Sequence, residues 1–325
     1  MKCFYHSDLD GQASAFIVHA WVGINDCNVS PEFIEINYGT EFPLDIIYPG
    51  EQVWIVDYSI HPNEMRKLLA VTDDVTWIDH HKTAIEKYEG FERGIAGIRR
   101  DGTAGCVLTW EWVHWMTGRG SGMLSGDQVV ENSQNLPVPR CIQLVGDRDV
   151  WKWEFGDETR HFFSGAMLHN TSPASEFWWQ CMEHEIEDLP PPNTGNRAAR
   201  IRGEKFWAQL LRDGETIERY KAQSDKGITE SIGYDVEWLG YKCFACNRAR
   251  VSSDRFGSRI KEYDILLPHY HDGKQWTVSL YSEKVDVSEI AKARGGGGHK
   301  GASGFQCKDL PWMLANLTDG LTGAM

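Results

Sequence analysis

Three observations predict an α/β protein, with a mainly parallel sheet flanked by helices and a smaller C-terminal α/β domain. Through the first 81 residues, short apolar runs alternate with stretches of helical periodicity, the pattern of β-α units in a parallel sheet. Each of those runs stops abruptly at a carboxylate or a histidine, where such sheets collect ligands beyond the strand ends. Past about residue 226 the chain changes to closely spaced strand-like pieces and a glycine run, Gly295–Gly298.

In chain order, Met1–His6 reads as a first strand closed by Asp8 and Asp10. Ala13, Phe16, Ile17, Ala20 and Trp21 then fall at the three-and-four spacing of one apolar helix face. Val53–Val56 is a buried strand, and Pro62 opens a helix that turns Met65, Leu68 and Leu69 inward. Val75–Ile78 is a further strand ending at Asp79, and a helix is predicted over Thr103–Met116. The Gly/Ser-rich stretch Gly118–Asn135 reads as a surface loop. Cys141–Val145 is a fourth apolar segment leading into carboxylates, at Gly146-Asp147-Arg148-Asp149. Pro190-Pro191-Pro192 stops the preceding element, and a charged segment from Asn196 to about Ser224 is predicted helical. Tyr234–Leu239, Tyr241–Ala245 and Trp276–Tyr281 follow as strands, with a helical pattern around Ile290. These boundaries divide the chain into a catalytic domain over 1–190, a connecting helix over 191–225 and a second domain over 226–325.

The chain has 325 residues, enough for about two domains. Its net charge of −14 excludes an extended, sequence-independent grip on long duplex nucleic acid, which needs a basic stripe. A short nucleotide is still admissible, because bound cations reverse the local potential. No apolar run approaches the ~18 residues that span a bilayer, and the first residues lead straight into a motif, so neither a membrane anchor nor a leader is expected and a cytoplasmic location is. Of eight scattered cysteines, only Cys243 and Cys246 have CxxC spacing, and no second pair completes a zinc site. They read as buried thiols. Fourteen tryptophans read mostly as core, with Trp151 and Trp153, beside the acidic cluster, as candidate base-stacking rings.

The chemistry is concentrated in His6-Ser7-Asp8-Leu9-Asp10-Gly11, Asp57 and Asp79-His80-His81. Taken singly, each has a structural reading: Asp8 as a helix cap and Asp10-Gly11 as a turn, Asp57 as a cap for the helix at Pro62, His80-His81 as a cap and a surface ring. Taken together, they are hard ligands for divalent cations at the ends of neighbouring strands, and two such ions activate water against a phosphate. The glycine run is flanked by ordered-looking sequence. Its backbone permits close approach to an anion, with His299 and Lys300 adding donors or charge.

These motifs, in this order, resemble the DHH phosphoesterase superfamily, and Gly295-Gly296-Gly297-Gly298-His299-Lys300-Gly301-Ala302-Ser303-Gly304 resembles the glycine-rich signature of its DHHA1 accessory domain. The resemblance runs from residue 6 to residue 304, and within the superfamily the chain is similar to nano-RNases and related oligoribonucleases. It implies a phosphodiesterase using two Mn²⁺, with Mg²⁺ or Co²⁺ as substitutes, and mixed imidazole and carboxylate ligation suits Mn²⁺. By the resemblance, His6 and Asp8 serve one ion, Asp10 and His80 the other, Asp57 bridges them and Asp147 completes the set. His81 contacts phosphate or protonates the leaving group, and Asp79 orients a histidine through its ring N–H. Gly297, Gly298, His299, Lys300 and Tyr281 are the implied substrate contacts, and a homodimer is the implied assembly.

The pattern also departs from the family. Many small members carry a histidine four residues before the first motif aspartate, where this chain has Phe4; His6 matches the single-strand exonuclease branch instead. Ser279-Leu280-Tyr281-Ser282 stands where many DHHA1 domains have Ser-Leu-Arg-Ser, which removes a bidentate phosphate clamp. Arg248, Arg250, Arg255 and Arg259 are alternative sources of that charge, and spacing does not choose among them. For the fourth motif, Asp147 and Asp149 are both available, and Asp147 is preferred because it follows the apolar run directly. The expected substrate is a short oligonucleotide or dinucleotide. The alternatives are a phosphatase for 3′-phosphoadenosine 5′-phosphate or cyclic (di)nucleotides and a catalytically silent nucleotide-binding protein.

Overall fold

A computed structural model of the chain describes residues 1–25, 29–118, 137–183, 196–249 and 251–313. The predicted loop over 119–135, the triple proline, Cys27 and Arg250 lie outside them. The chain forms two compact units, Met1–Glu218 and Arg219–Met325.

The first unit is built on a four-stranded parallel sheet of β1 (Lys2–His6), β2 (Glu32–Ile36), β3 (Val53–Val56) and β4 (Val75–Ile78), in the order β2-β1-β3-β4. Residues 96–99 run alongside β4 through bridges at Thr76 and Asp79. Both sheet faces are buried, which is why β3 and β4 are apolar throughout rather than alternating. On one face Cys3, Tyr5, Trp54 and Val56 pack with α1 (Leu9–Asn25), α4 (Gly105–Gly118), α5 (Arg140–Asp149) and α7 (Glu176–Met182). On the other, Phe4, Ile55 and Trp77 pack with Met65, Leu68 and Leu69 of α2 (Pro62–Val71). A short α3 (Lys82–Glu86) follows β4, and α6 (Asp157–Ala166) follows α5.

The chain order places a topological switch between β1 and β3. Tyr5 of β1 pairs with Val56 of β3, and Val56 pairs with Ile78 of β4. His6, Asp57 and Asp79 each stand one residue past that row, so register alone brings the three together at the carboxyl edge.

The predicted fourth apolar segment is a helix, α5, not a strand end. Its Cys141, Ile142, Leu144 and Val145 are fully buried, and they recur at three- and four-residue intervals. Among the tryptophans, Trp54, Trp77, Trp112 and Trp178 are buried in this unit, and Trp151 is exposed.

Helix α8 (Asn196–Ile232) runs past Ser224, and the division between the two units falls within it. The second unit carries a six-stranded sheet of order β5-β6-β7-β8-β10-β9, with β6 and β7 parallel and the other pairs antiparallel. The strands are β5 (Gly233–Trp238), β6 (Tyr241–Asn247), β7 (Ile265–His271), β8 (Trp276–Tyr281), β9 (Gly297–His299) and β10 (Ala302–Cys307). Helix α9 (Arg259–Glu262) precedes β7, and α10 (Val287–Lys292) precedes the glycine run. Cys243 and Cys246 are both buried on β6, but in separate core clusters on opposite faces of the sheet, so they do not form a thiol pair.

Candidate metal centre

The site grows from strand ends and helix starts. Asp8 opens α1: its Oδ1 accepts from the Gly11 N–H at 3.0 Å while its Oδ2 lies 2.7 Å from His6 Nδ1. The cap reading of Asp8 is thus correct without displacing its place in the cluster. Asp10 is 2% exposed and is gripped by the start of α4, where the Gly105 and Cys106 N–H groups donate to its two oxygens at 2.7 and 2.9 Å. Gly105 is a site residue that sequence reasoning missed. A Cβ there would come within 2.7 Å of Asp57 Cβ and 3.1 Å of Asp10 Oδ2. The available signal was a glycine at the start of a predicted helix, where glycine is otherwise unfavourable.

Asp57 is 1% exposed and adopts φ of +53°, a left-handed conformation that aspartate tolerates better than most side chains. Its N–H donates to the Ile78 carbonyl at 2.9 Å, so the backbone turns out of the sheet at the end of β3. It does not cap α2; that role belongs to His61, whose Nδ1 accepts from Asn63 N–H while Glu64 bonds back to the His61 N–H. Both Asp57 carboxylate oxygens are buried without a hydrogen-bond partner.

His80 Nε2 lies 3.2 Å from Asp57 Oδ1, 3.2 Å from Asp149 Oδ2 and 3.7 Å from Asp10 Oδ2. His81 Nδ1 lies 2.7 Å from an oxygen of the fully buried Asp79, whose other oxygen accepts from the Ser59 hydroxyl. Asp79 therefore fixes the ring of His81 and keeps Nε2 as its second, unassigned nitrogen.

At the fourth motif the structure brings in Asp149, not the preferred Asp147. Two residues apart on a helix are about 200° apart around its axis, so one of them faces the cluster and the other cannot. The Asp147 carboxylate accepts from the N–H groups of Glu154 and Phe155 and from the Thr159 hydroxyl, at 2.7, 3.3 and 2.5 Å, and so secures the turn after α5. That turn carries Trp151 and Trp153 at positive φ, edge to face at 5.0 Å.

Three sets of ligand-type atoms result: His6, Asp8 and Asp57; Asp10, His80 and Asp149; and Asp57, His80 and His81. Burial, followed by the charges of Asp10 and Asp8, raises the Asp57 carboxyl well above the ordinary range and pushes Asp149 up to about 8. Burial holds His80 below its usual value. Burial would lower His81 too, but its bond to Asp79 outweighs this and raises it. Asp79 is held low by His81 and Ser59 against the opposing effect of burial.

Buried oxygens of Asp57 and Asp149 have no hydrogen-bond partner, a costly arrangement unless a cation neutralises it. The donor set is imidazole and carboxylate with no thiolate, so these residues fit divalent metal.

That fit gives a stability prediction. A carboxyl raised in the folded state binds its proton more tightly there than in the unfolded chain, so stability falls as pH rises from the unfolded value, about 4, towards the folded one. For Asp149 that window ends at about 8. Saturating Mn²⁺ is therefore expected to raise the melting temperature by about 5–10 °C at pH 8 and by much less at pH 5. Equal shifts at both pH values in a thermal melt would contradict it.

In the second unit, the glycines answer to backbone geometry. Gly295 (φ +76°) ends α10, with its N–H bonded to the Lys292 carbonyl. A Cβ on Gly296 would meet the Gly304 carbonyl oxygen at 2.1 Å, and one on Gly298 (φ +137°) would meet the Ala302 oxygen at 2.6 Å. Gly297, Gly298 and His299 form the exposed edge strand β9, and Lys300 is exposed beside it. The run is thus ordered, not a linker. Tyr281 donates its hydroxyl to the Val251 carbonyl at 3.0 Å, which occupies the hydrogen bond considered for substrate. Arg248 and Arg255 are both held by buried Asp225, and Arg259 lies over the Phe244 ring.

A parallel sheet with Asp and His at its switch point, a helix-held aspartate and a second sheet bearing the glycine signature define a class. In its motifs and their placement the chain resembles the DHH/DHHA1 phosphoesterase superfamily. Among known proteins it is 21% identical over 338 residues to oligoribonuclease NrnB of Bacillus subtilis, covering 96% of this chain and 74% of that one. It is 22% identical to the uncharacterized protein R106 of Acanthamoeba polyphaga mimivirus, covering 83% of this chain and 56% of that one. Among solved structures, a pGpG-specific phosphodiesterase, PggH of Vibrio cholerae, is 11% identical with a TM-score of 0.44, covering 98% of this chain and 97% of that one. The chain matches no protein-family model. No helix among the described residues is long and apolar enough to cross a membrane.

Proposed function

We propose that this protein is a metal-dependent phosphodiesterase that hydrolyses short oligonucleotides or dinucleotides. The observation that carries the reading is Asp57, a buried carboxylate shared between two ligand sets, with neither oxygen hydrogen-bonded. The near-full-length likeness to an oligoribonuclease supports the substrate class, and the net charge of −14 disfavours a long strand.

Asp57 shares one set with His6 and Asp8 and another with His80 and His81, and His80 in turn stands with Asp10 and Asp149. Two Mn²⁺ ions held there would supply a water activated at neutral pH and offset charge developing on the phosphate. The chain's own residues do the rest. Asp10 is oriented by the N–H groups of α4, and Asp79 fixes His81. His81, with Nδ1 engaged, presents Nε2 as a proton donor to the departing oxygen, and its raised proton affinity suits that task. Gly297, Gly298, His299 and Lys300 offer donors to a substrate phosphate, and Tyr281 contributes its ring.

The test is Mn²⁺-dependent hydrolysis followed by mass spectrometry. Substrates are a dinucleotide, a five-nucleotide RNA, a long single strand, 3′-phosphoadenosine 5′-phosphate, cyclic nucleotides and pyrophosphate. Dinucleotide and pentanucleotide should be cleaved, and faster than the long strand. Phosphate release from 3′-phosphoadenosine 5′-phosphate alone would favour the phosphatase alternative. Turnover of none would sink the phosphoesterase reading.

A further inference from the structure

Tyr38, in the loop after β2, is used by nothing described so far, yet it stands against the metal centre. Its ring centroid is 5.6 Å from that of His6 and 5.9 Å from that of His81. One face is stacked on Tyr58 at 4.7 Å with 28° between the planes. The loop is tied down: the Asn37 side chain accepts from the Ser7 hydroxyl at 2.7 Å, and the Asn37 carbonyl accepts from the Thr40 hydroxyl at 2.6 Å. The Ser59 backbone stands near the Tyr38 hydroxyl. Even so, the residue is 52% exposed. With its inner face covered by Tyr58, what the residue offers is an open aromatic face beside two site histidines.

A large apolar ring left in water normally gains by covering that face. A flat aromatic ligand satisfies it without a specific hydrogen-bond pattern, as nucleobases do on aromatic platforms. We propose that Tyr38, backed by Tyr58, is the stacking platform for the nucleobase of the nucleoside attached to the phosphate at the His6, Asp8 and Asp57 end of the centre. The proposal rests on the phosphodiesterase reading and specifies its substrate further. Recognition there is of a base by its face, so purines and pyrimidines are both admitted, and a substrate lacking that base is bound less well.

Steady-state kinetics with Mn²⁺ on a dinucleotide, and on its two counterparts each lacking one base, tests this. Tyr38→Ala should raise KM for the dinucleotide about tenfold or more, the usual effect of removing one stacked base contact, with kcat little changed. That penalty should disappear when the base at one of the two positions is missing. Tyr38→Phe, which keeps the ring, should restore KM. An unchanged KM in Tyr38→Ala, or a phenylalanine variant as poor as alanine, overturns stacking. A fall in kcat of equal size on all three substrates also overturns it, by showing that the ring only positions His6 and His81. If the wild-type protein cleaves none of them, calorimetric titration with AMP and with ribose 5-phosphate separates the two readings. Tighter binding of AMP that is lost in Tyr38→Ala upholds the platform while the phosphodiesterase reading falls; equal binding of the two probes overturns the platform.

Discussion

Asp57→Asn is expected to lose activity on the order of a thousandfold or more while the metal-free protein melts at the same temperature or higher. The two effects have one cause. The Asp57 carboxylate is buried among Asp8, Asp10 and Asp149, so without cations it contributes repulsion and desolvation cost. Asparagine removes the charge at nearly constant shape and tolerates the positive φ of this position, which alanine does not. The variant therefore keeps the fold but loses the group shared by both ligand sets, and the Mn²⁺-induced rise in melting temperature should shrink with it. Hydrolysis assays and paired melts with and without Mn²⁺ measure both effects. Retained turnover would refute the site, and a lower metal-free melting temperature would show that Asp57 is a structural group.

The second large effect is expected on stability. A Cβ on Gly11 would lie 2.1 Å from the His6 carbonyl oxygen, a backbone atom that cannot swing aside. Gly11→Ala must push α1 away from β1, an overpacking cost of about 3 kcal/mol, against which alanine returns only about 1 kcal/mol of helix propensity. The net loss of about 2 kcal/mol corresponds to a fall of about 4–8 °C in melting temperature. Gly23 lies in the same helix with nothing within 4 Å of its would-be Cβ. Gly23→Ala should thus be neutral or slightly stabilising. Equal melting temperatures for the two variants would show that the close approach of α1 to His6 is not a constraint. The Gly11 change also displaces His6 and Asp8, so it should weaken Mn²⁺ binding where the Gly23 change does not.

Much of this was legible because it is local. An apolar run ending in a carboxylate marks a buried strand and its carboxyl end wherever it occurs, and β1, β3 and β4 followed from that pattern. His6, Asp57 and Asp79 came from the same reading, since the last residue of a strand and the first one past it are positions that sequence expresses directly. The helix faces of α1 and α2 were readable from spacing alone, as was the ordered character of the glycine run from its flanks.

Tertiary structure decided what depends on which face of an element meets which neighbour. Asp147 and Asp149 are equivalent in a string of letters. The helical winding of α5 separates them by about 200° and directs Asp149 to His80, leaving Asp147 to hold the following turn. Gly105 and Tyr38 carry no motif, because their importance lies in distances to Asp57, Asp10, His6 and His81 that are far off in sequence. The pairing of Arg248 and Arg255 with Asp225 likewise belongs to packing, not to spacing. By itself, the sequence determined the ligand types and the strand ends that bear them, because periodicity and residue chemistry act over a few neighbours. Which of those groups converge, and which glycines and rings make room for them, was decided only when distant segments packed.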